Sequence, residues 1–105
     1  MKELRLATGV EDEIRAAARW YEERREGLGK ALILEVQAAV LSLRANPERH
    51  VPLAGRAGFQ FRLARVRRFP YRVVFLEADA ELLIVAVAHE RRRPRYWESR
   101  LDFER

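Results

Sequence analysis

The chain has no cysteine, only two serines (Ser42 and Ser99), only two histidines (His50 and His89), and only two lysines (Lys2 and Lys30). Without cysteine there is no disulfide framework, no thiolate nucleophile and no cysteine-ligated metal. Neither serine stands in a nucleophile elbow, and there is no glycine-rich phosphate loop or dinucleotide fingerprint. The histidines are far apart, with no partner at ligand spacing, so no metal site is expected. No apolar run approaches the ~18 residues of a membrane span, and no secretory leader is read at the start. The cytoplasm is therefore the expected compartment. Chemistry, if any, has to come from arginine, tyrosine and His89.

Arginine is abundant. Of 21 basic residues against 16 acidic ones, all but the two lysines are arginine, and the net charge is +5. The excess lies wholly in residues 54–105; residues 1–53 are neutral. A guanidinium forks onto phosphate or carboxylate and stacks on planar rings, so this half points to an acidic partner, either nucleic acid or an acidic protein segment. At 105 residues, 49% hydrophobic and 35% charged, the chain is one folded domain over its whole length.

Residues 2–7 alternate as a half-buried strand. Thr8 and Glu11 then stand at capping-box spacing, where each side chain satisfies a backbone N–H of the other, and a helix is expected to follow. Val10, Ile14, Ala17 and Tyr21 form its apolar stripe, with Trp20 on the flank. Glu22 and Glu23 belong to its solvated face. Gly27 and Gly29 separate it from a second helix over 28–45, with a core stripe of Leu28, Leu32, Val36, Ala39 and Leu43. Leu34, Ala38 and Leu41 make a second apolar line, expected to pack on the first helix, with a docking surface as the alternative. Asn46-Pro47 stops the helix.

Residues 48–58 read as a loop. Period-two alternation from Phe59 to Ala64 and apolar runs over 71–76 and 82–88 read as three strands, the last two central. Residues 77–80 form the turn between those two. The order predicts an α+β fold: a small, curved, mainly antiparallel sheet, mixed at its edge, with an N-terminal helical hairpin on one face and a short C-terminal tail or helix.

In that arrangement the end of the last strand lies near the start of the one before it. Tyr71 and Arg68 are then set against the basic tail of Arg91, Arg92, Arg93 and Arg95. Arginines beside exposed aromatics suit single-stranded nucleic acid. The alternatives are edge arginines that oppose aggregation, and Tyr96 and Trp97 anchoring the tail to the core.

Trp20-Tyr21-Glu22, Leu28-Gly29, Asn46-Pro47, Arg62, Arg68-Phe69-Pro70-Tyr71, Ala86-Val87-Ala88-His89, Arg92, Pro94, Tyr96-Trp97 and Arg100 occur in the order and spacing of one family. The chain resembles a RelE/ParE superfamily toxin of bacterial type II toxin–antitoxin modules, closer to the ParE-like branch in Phe69-Pro70-Tyr71, His89 and Tyr96-Trp97. That branch implies poisoning of DNA gyrase, with Arg67, Arg68, Tyr71, Arg91, Arg93 and Trp97 meeting the target. The RelE-like alternative implies metal-independent cleavage of messenger RNA on the ribosome. Its catalytic set would be Arg62, Arg65, Arg92, Tyr96 and His89, with Arg67 a further phosphate clamp. Against it, this strand carries no lysine and Glu90 follows His89. A plain nucleic-acid-binding relative is a third reading. Either branch implies no cofactor and an acidic, partly disordered antitoxin, for which Leu34, Ala38 and Leu41 are the implied contacts.

Overall fold

A computed structural model describes residues 2–53, 59–93 and 95–102. Gly55 and Gly58 of the expected loop, Pro94, and Phe103 to Arg105 lie outside the described residues. Strand β1 is Glu3–Leu6, helix α1 Val10–Arg24 and helix α2 Leu28–Ala45. They are followed by β2 (Val51–Leu53), β3 (Phe61–Arg65), β4 (Tyr71–Glu77), β5 (Glu81–His89) and a terminal 3-10 helix over Tyr96–Asp102. The sheet order is β1-β5-β4-β3-β2, with β1 parallel to β5 and every other pair antiparallel. This is the expected α+β fold, with one strand more than the sequence suggests. β2 lies inside the expected loop; Pro52 is tolerated there because β2 is the sheet edge and owes the ladder no further hydrogen bond.

Helix α1 opens differently from the expected capping box. Its cap is Gly9, at φ 94°, and no side chain hydrogen-bonds it. That left-handed geometry suits glycine, and a Cβ here would also sit 3.5 Å from the Arg100 guanidinium. Glu11, Asp12 and Glu13 fill the first turn, where the helix dipole favours negative charge.

The expected solvation of Glu22 is also corrected. Its carboxylate accepts the N–H of Gly27 at 3.0 Å and of Gly29 at 3.0 Å, so a side chain of α1 caps α2. The two helices touch closely at this point. A Cβ on Gly29 would lie 2.5 Å from the carbonyl oxygen of Ala18.

Leu32, Val36, Ala39 and Leu43 of α2 are buried, as their spacing predicts. Leu34, Ala38 and Leu41 do not pack on α1. Leu34 is 54% exposed and Leu41 68%, and Ala38 is exposed beside them. The helical hairpin lies on the sheet face carrying Tyr71 and Phe75, whose rings meet Tyr21 and His50. The terminal 3-10 helix covers the other face, where Trp97 meets Phe61 edge-on. Every residue of β5 from Leu82 to Ala88 is therefore buried, which explains the unbroken apolar run.

Candidate functional site

β1 pairs with β5 only as far as Ile84, so the outer edge of β5 is uncovered beyond it. Just there the ladder to β4 steps from Val74↔Ala86 to Phe75↔Ile84, leaving Val85 as a bulge. Backbone groups freed at this place need partners. The Val85 carbonyl accepts from Arg100 Nη1 at 2.8 Å, and the Val87 N–H donates to Glu13 Oε1 at 3.1 Å. Arg100 Nη1 also donates to Glu13 Oε1 at 3.0 Å, and the Tyr96 hydroxyl donates to Glu13 Oε2. The Glu13 side chain is 11% exposed and that of Arg100 19%. One carboxylate on α1 thus joins the helix, the interrupted strand and the C-terminal segment.

This junction sets the protonation of Tyr96. Burial, and then the hydrogen bond to Glu13, push its phenol well above the ordinary tyrosine value. A phenol held neutral and already donating to a carboxylate is unsuited to act as a general base near neutral pH. Burial raises Tyr71 as well, with Tyr21 and Glu13 adding to the effect.

Beside the junction, α1 and the ends of β4 and β5 enclose a cleft of about 620 Å³. Trp20, Tyr21, Tyr71 and His89 supply its aromatic wall, and Arg92 and Arg100 line it as well. Tyr71 and His89 are cross-strand partners, with ring centroids 5.2 Å apart, so the juxtaposition expected from strand order is present. The Arg91 N–H donates to His89 Nδ1 at 3.0 Å, which places the proton of the neutral ring on Nε2. The Glu90 N–H donates to the Pro70 carbonyl at 2.9 Å and ties the chain after β5 to the β3–β4 turn. Arg67 and Arg68 of that turn and Arg91, Arg92 and Arg93 are all exposed at this end of the sheet. Arg68 stands at φ 71° with its guanidinium over Phe69.

Of the residues implied for RNA cleavage, His89, Arg92 and Tyr96 come together, whereas Arg62 and Arg65 do not join them. Arg62 and Arg65 lie three positions apart on one strand and so project from opposite faces. Arg62 pairs with Phe75 on the helical face and forms an ion pair with Glu77 at 3.7 Å. Arg65 stands opposite Arg72 on the other face, with Glu90 at 3.8 Å. His89 and Arg92 share the cleft, and Arg92 lies 4.0 Å from the centroid of Tyr96, whose hydroxyl is bound to Glu13.

Trp97 needs correction as a target contact. It is 1% exposed and belongs to the core, so it anchors the tail. Trp20, on the flank of the stripe, is the exposed tryptophan at 50%, with Arg24 stacked 3.5 Å from its ring centroid. Glu13 was not among the expected site residues. Its only sequence signal is an acid in a helical first turn, which the dipole alone accounts for.

Residues 4–94 match the family model described as the ParE toxin of the type II toxin–antitoxin system, parDE, and the chain belongs to that family. A solved structure titled as the chromosomal ParDE TA system from P. aeruginosa is similar in fold. Its TM-score is 0.71 at 14% identity, over 85% of this chain and 96% of that one. No curated protein matches the chain in sequence.

Proposed function

We propose that this toxin arrests growth by binding DNA gyrase and stabilising its cleaved-DNA state, acting as a binding module in the cytoplasm. The carrying observation is that the strand arginines RNA cleavage would use to clamp the phosphate do not gather beside His89, Arg92 and Tyr96. In-line attack by a 2′-hydroxyl needs a base, an acid and cations around one phosphate. Arg62 and Arg65 face apart, and Tyr96 is neutral and committed to Glu13. The arginines at the Tyr71–His89 end instead suit a contact surface. Arg67, Arg68, Tyr71, Arg91 and Arg93 are its proposed members, with Arg92.

We further propose that a cognate antitoxin, acidic and partly disordered, lays an apolar segment along Leu34, Ala38 and Leu41. The support is that stripe's exposure and the net charge of +5, which steers an acidic chain.

Induction of the toxin alone in a bacterial cell tests the first proposal. Pulsed-field electrophoresis should reveal broken chromosomes while a preformed transcript stays full length. Transcripts cut within coding frames over an intact chromosome would overturn it and favour the RNA-cleaving reading.

A further inference from the structure

The cleft between α1 and the ends of β4 and β5 combines an aromatic wall with nearby arginines. Its wall is aromatic, from Trp20, Tyr21, Tyr71 and His89. Arg92 lines it, and further arginines stand at the same end of the sheet. Both carboxylates that line it are engaged, Asp12 with Arg15 at 3.4 Å and Glu13 with Arg100 and Tyr96. By contrast, none of Arg67, Arg68, Arg91, Arg92 and Arg93 has an ion pair among the described residues.

The connection between rim and wall is structural. Arg92 lines the cleft itself. The backbone N–H of Arg91 is bonded to the ring of His89, which fixes where that residue leaves the strand. Arg68 covers Phe69, whose ring packs edge-on against Tyr21 at 4.9 Å. A chain of phosphates following the arginines would therefore pass the mouth of the cleft. At about 620 Å³ the cleft is also roomy enough for a planar base.

We propose that this cleft is a binding site for one unstacked base of a single-stranded nucleic acid, held between Trp20 and the Tyr71–His89 pair while the arginines grip the flanking phosphates. On the gyrase reading the strand is DNA, and in this respect the inference rests on that reading. The recognition is of base faces and phosphate charge, so it is tolerant of sequence.

Fluorescence anisotropy of labelled 12-mers with the purified toxin, without gyrase, tests it. The probes are oligothymidine, an abasic DNA of equal length and charge, and oligouridine. Oligothymidine should bind roughly tenfold more tightly than the abasic strand, as expected for one base–aromatic stack. Trp20→Ala should remove that preference with no change in the far-ultraviolet circular dichroism, because Trp20 is half exposed and outside the core. Arg92→Ala should weaken all three strands and flatten the salt dependence.

Equal affinity for thymidine and abasic strands would overturn the pocket, as would a Trp20→Ala protein that keeps the preference. Tighter binding of oligouridine would overturn the assignment to DNA. A toxin that poisons gyrase yet ignores the bases refutes this site and leaves the proposed function standing. One that binds the base but spares gyrase does the reverse.

Discussion

Glu13 and Arg100 lie 87 positions apart in the chain and meet at 3.0 Å over the uncovered edge of β5. Their side chains take up the carbonyl of Val85 and the N–H of Val87 where β1 has run out. Tyr96 closes the junction from the C-terminal side. Two side chains thus complete a strand edge and hold the last helical turn against the sheet.

Removing the carboxylate should therefore cost more than a surface ion pair would. Glu13→Ala leaves a phenol and a backbone N–H without their acceptor and a largely buried guanidinium without its counter-charge, for an expected loss of about 3 kcal/mol. Glu13→Gln keeps the shape and one acceptor and should lose about half as much. Urea unfolding followed by circular dichroism measures both. A loss below about 0.5 kcal/mol for Glu13→Ala, the range of ordinary surface changes, would contradict the junction.

The same junction gives an alkaline signature. Burial first, and Glu13 second, raise the Tyr96 phenol in the folded state. The folded chain then holds this proton more tightly than the unfolded one. The resulting stability is fully present below the unfolded tyrosine value of about 10 and is lost as pH rises from there towards the folded value. Urea midpoints between pH 8 and pH 11 should fall above about pH 10. In Tyr96→Phe the fall should be shallower, with the residue due to Tyr71, which shifts in the same direction. Identical slopes in the two proteins would contradict this origin.

Two glycines near the start of α2 should respond differently to alanine. Gly29→Ala sets a Cβ 2.5 Å from the Ala18 carbonyl oxygen and forces the helices apart, with an expected loss of 2 kcal/mol or more, roughly the cost of overpacking. Gly27 has nothing within 4 Å of such a Cβ, so Gly27→Ala costs only its left-handed φ of 90°, about 1 kcal/mol. Thermal unfolding of the pair gives the order directly.

Leu34→Asp with Leu41→Asp should leave the circular dichroism spectrum and melting temperature close to those of the parent, since both side chains are exposed. Co-expression with a tagged antitoxin should then recover antitoxin without toxin. Undiminished co-purification would place the antitoxin elsewhere.

The elements that the sequence announces are those whose burial is local and periodic. The stripe Leu32, Val36, Ala39, Leu43 and the run from Leu82 to Ala88 are examples, and the structure buries them all. β2 was hidden because three residues with a central proline carry no period, and only its place at the sheet edge makes it a strand. For Trp97 the anchoring alternative is the one the structure shows. Trp97 sits in a charged tail yet is drawn under Phe61, whereas Trp20 lies beside an apolar stripe yet remains half exposed. The burial of Trp97 depends on where the terminal segment crosses the sheet, and Glu13 holds that segment through contacts more than 80 positions away. The pairing of Tyr71 with His89 was legible, because it follows from strand order alone.

Gyrase poisoning is tested most directly with purified toxin, gyrase, supercoiled plasmid and ATP, trapped with detergent, beside a ribosome programmed with messenger RNA. Linear plasmid and intact messenger are expected, with the linear product lost when Arg67, Arg68, Arg91 and Arg93 are changed together to glutamate. Cut messenger with uncut plasmid would contradict it.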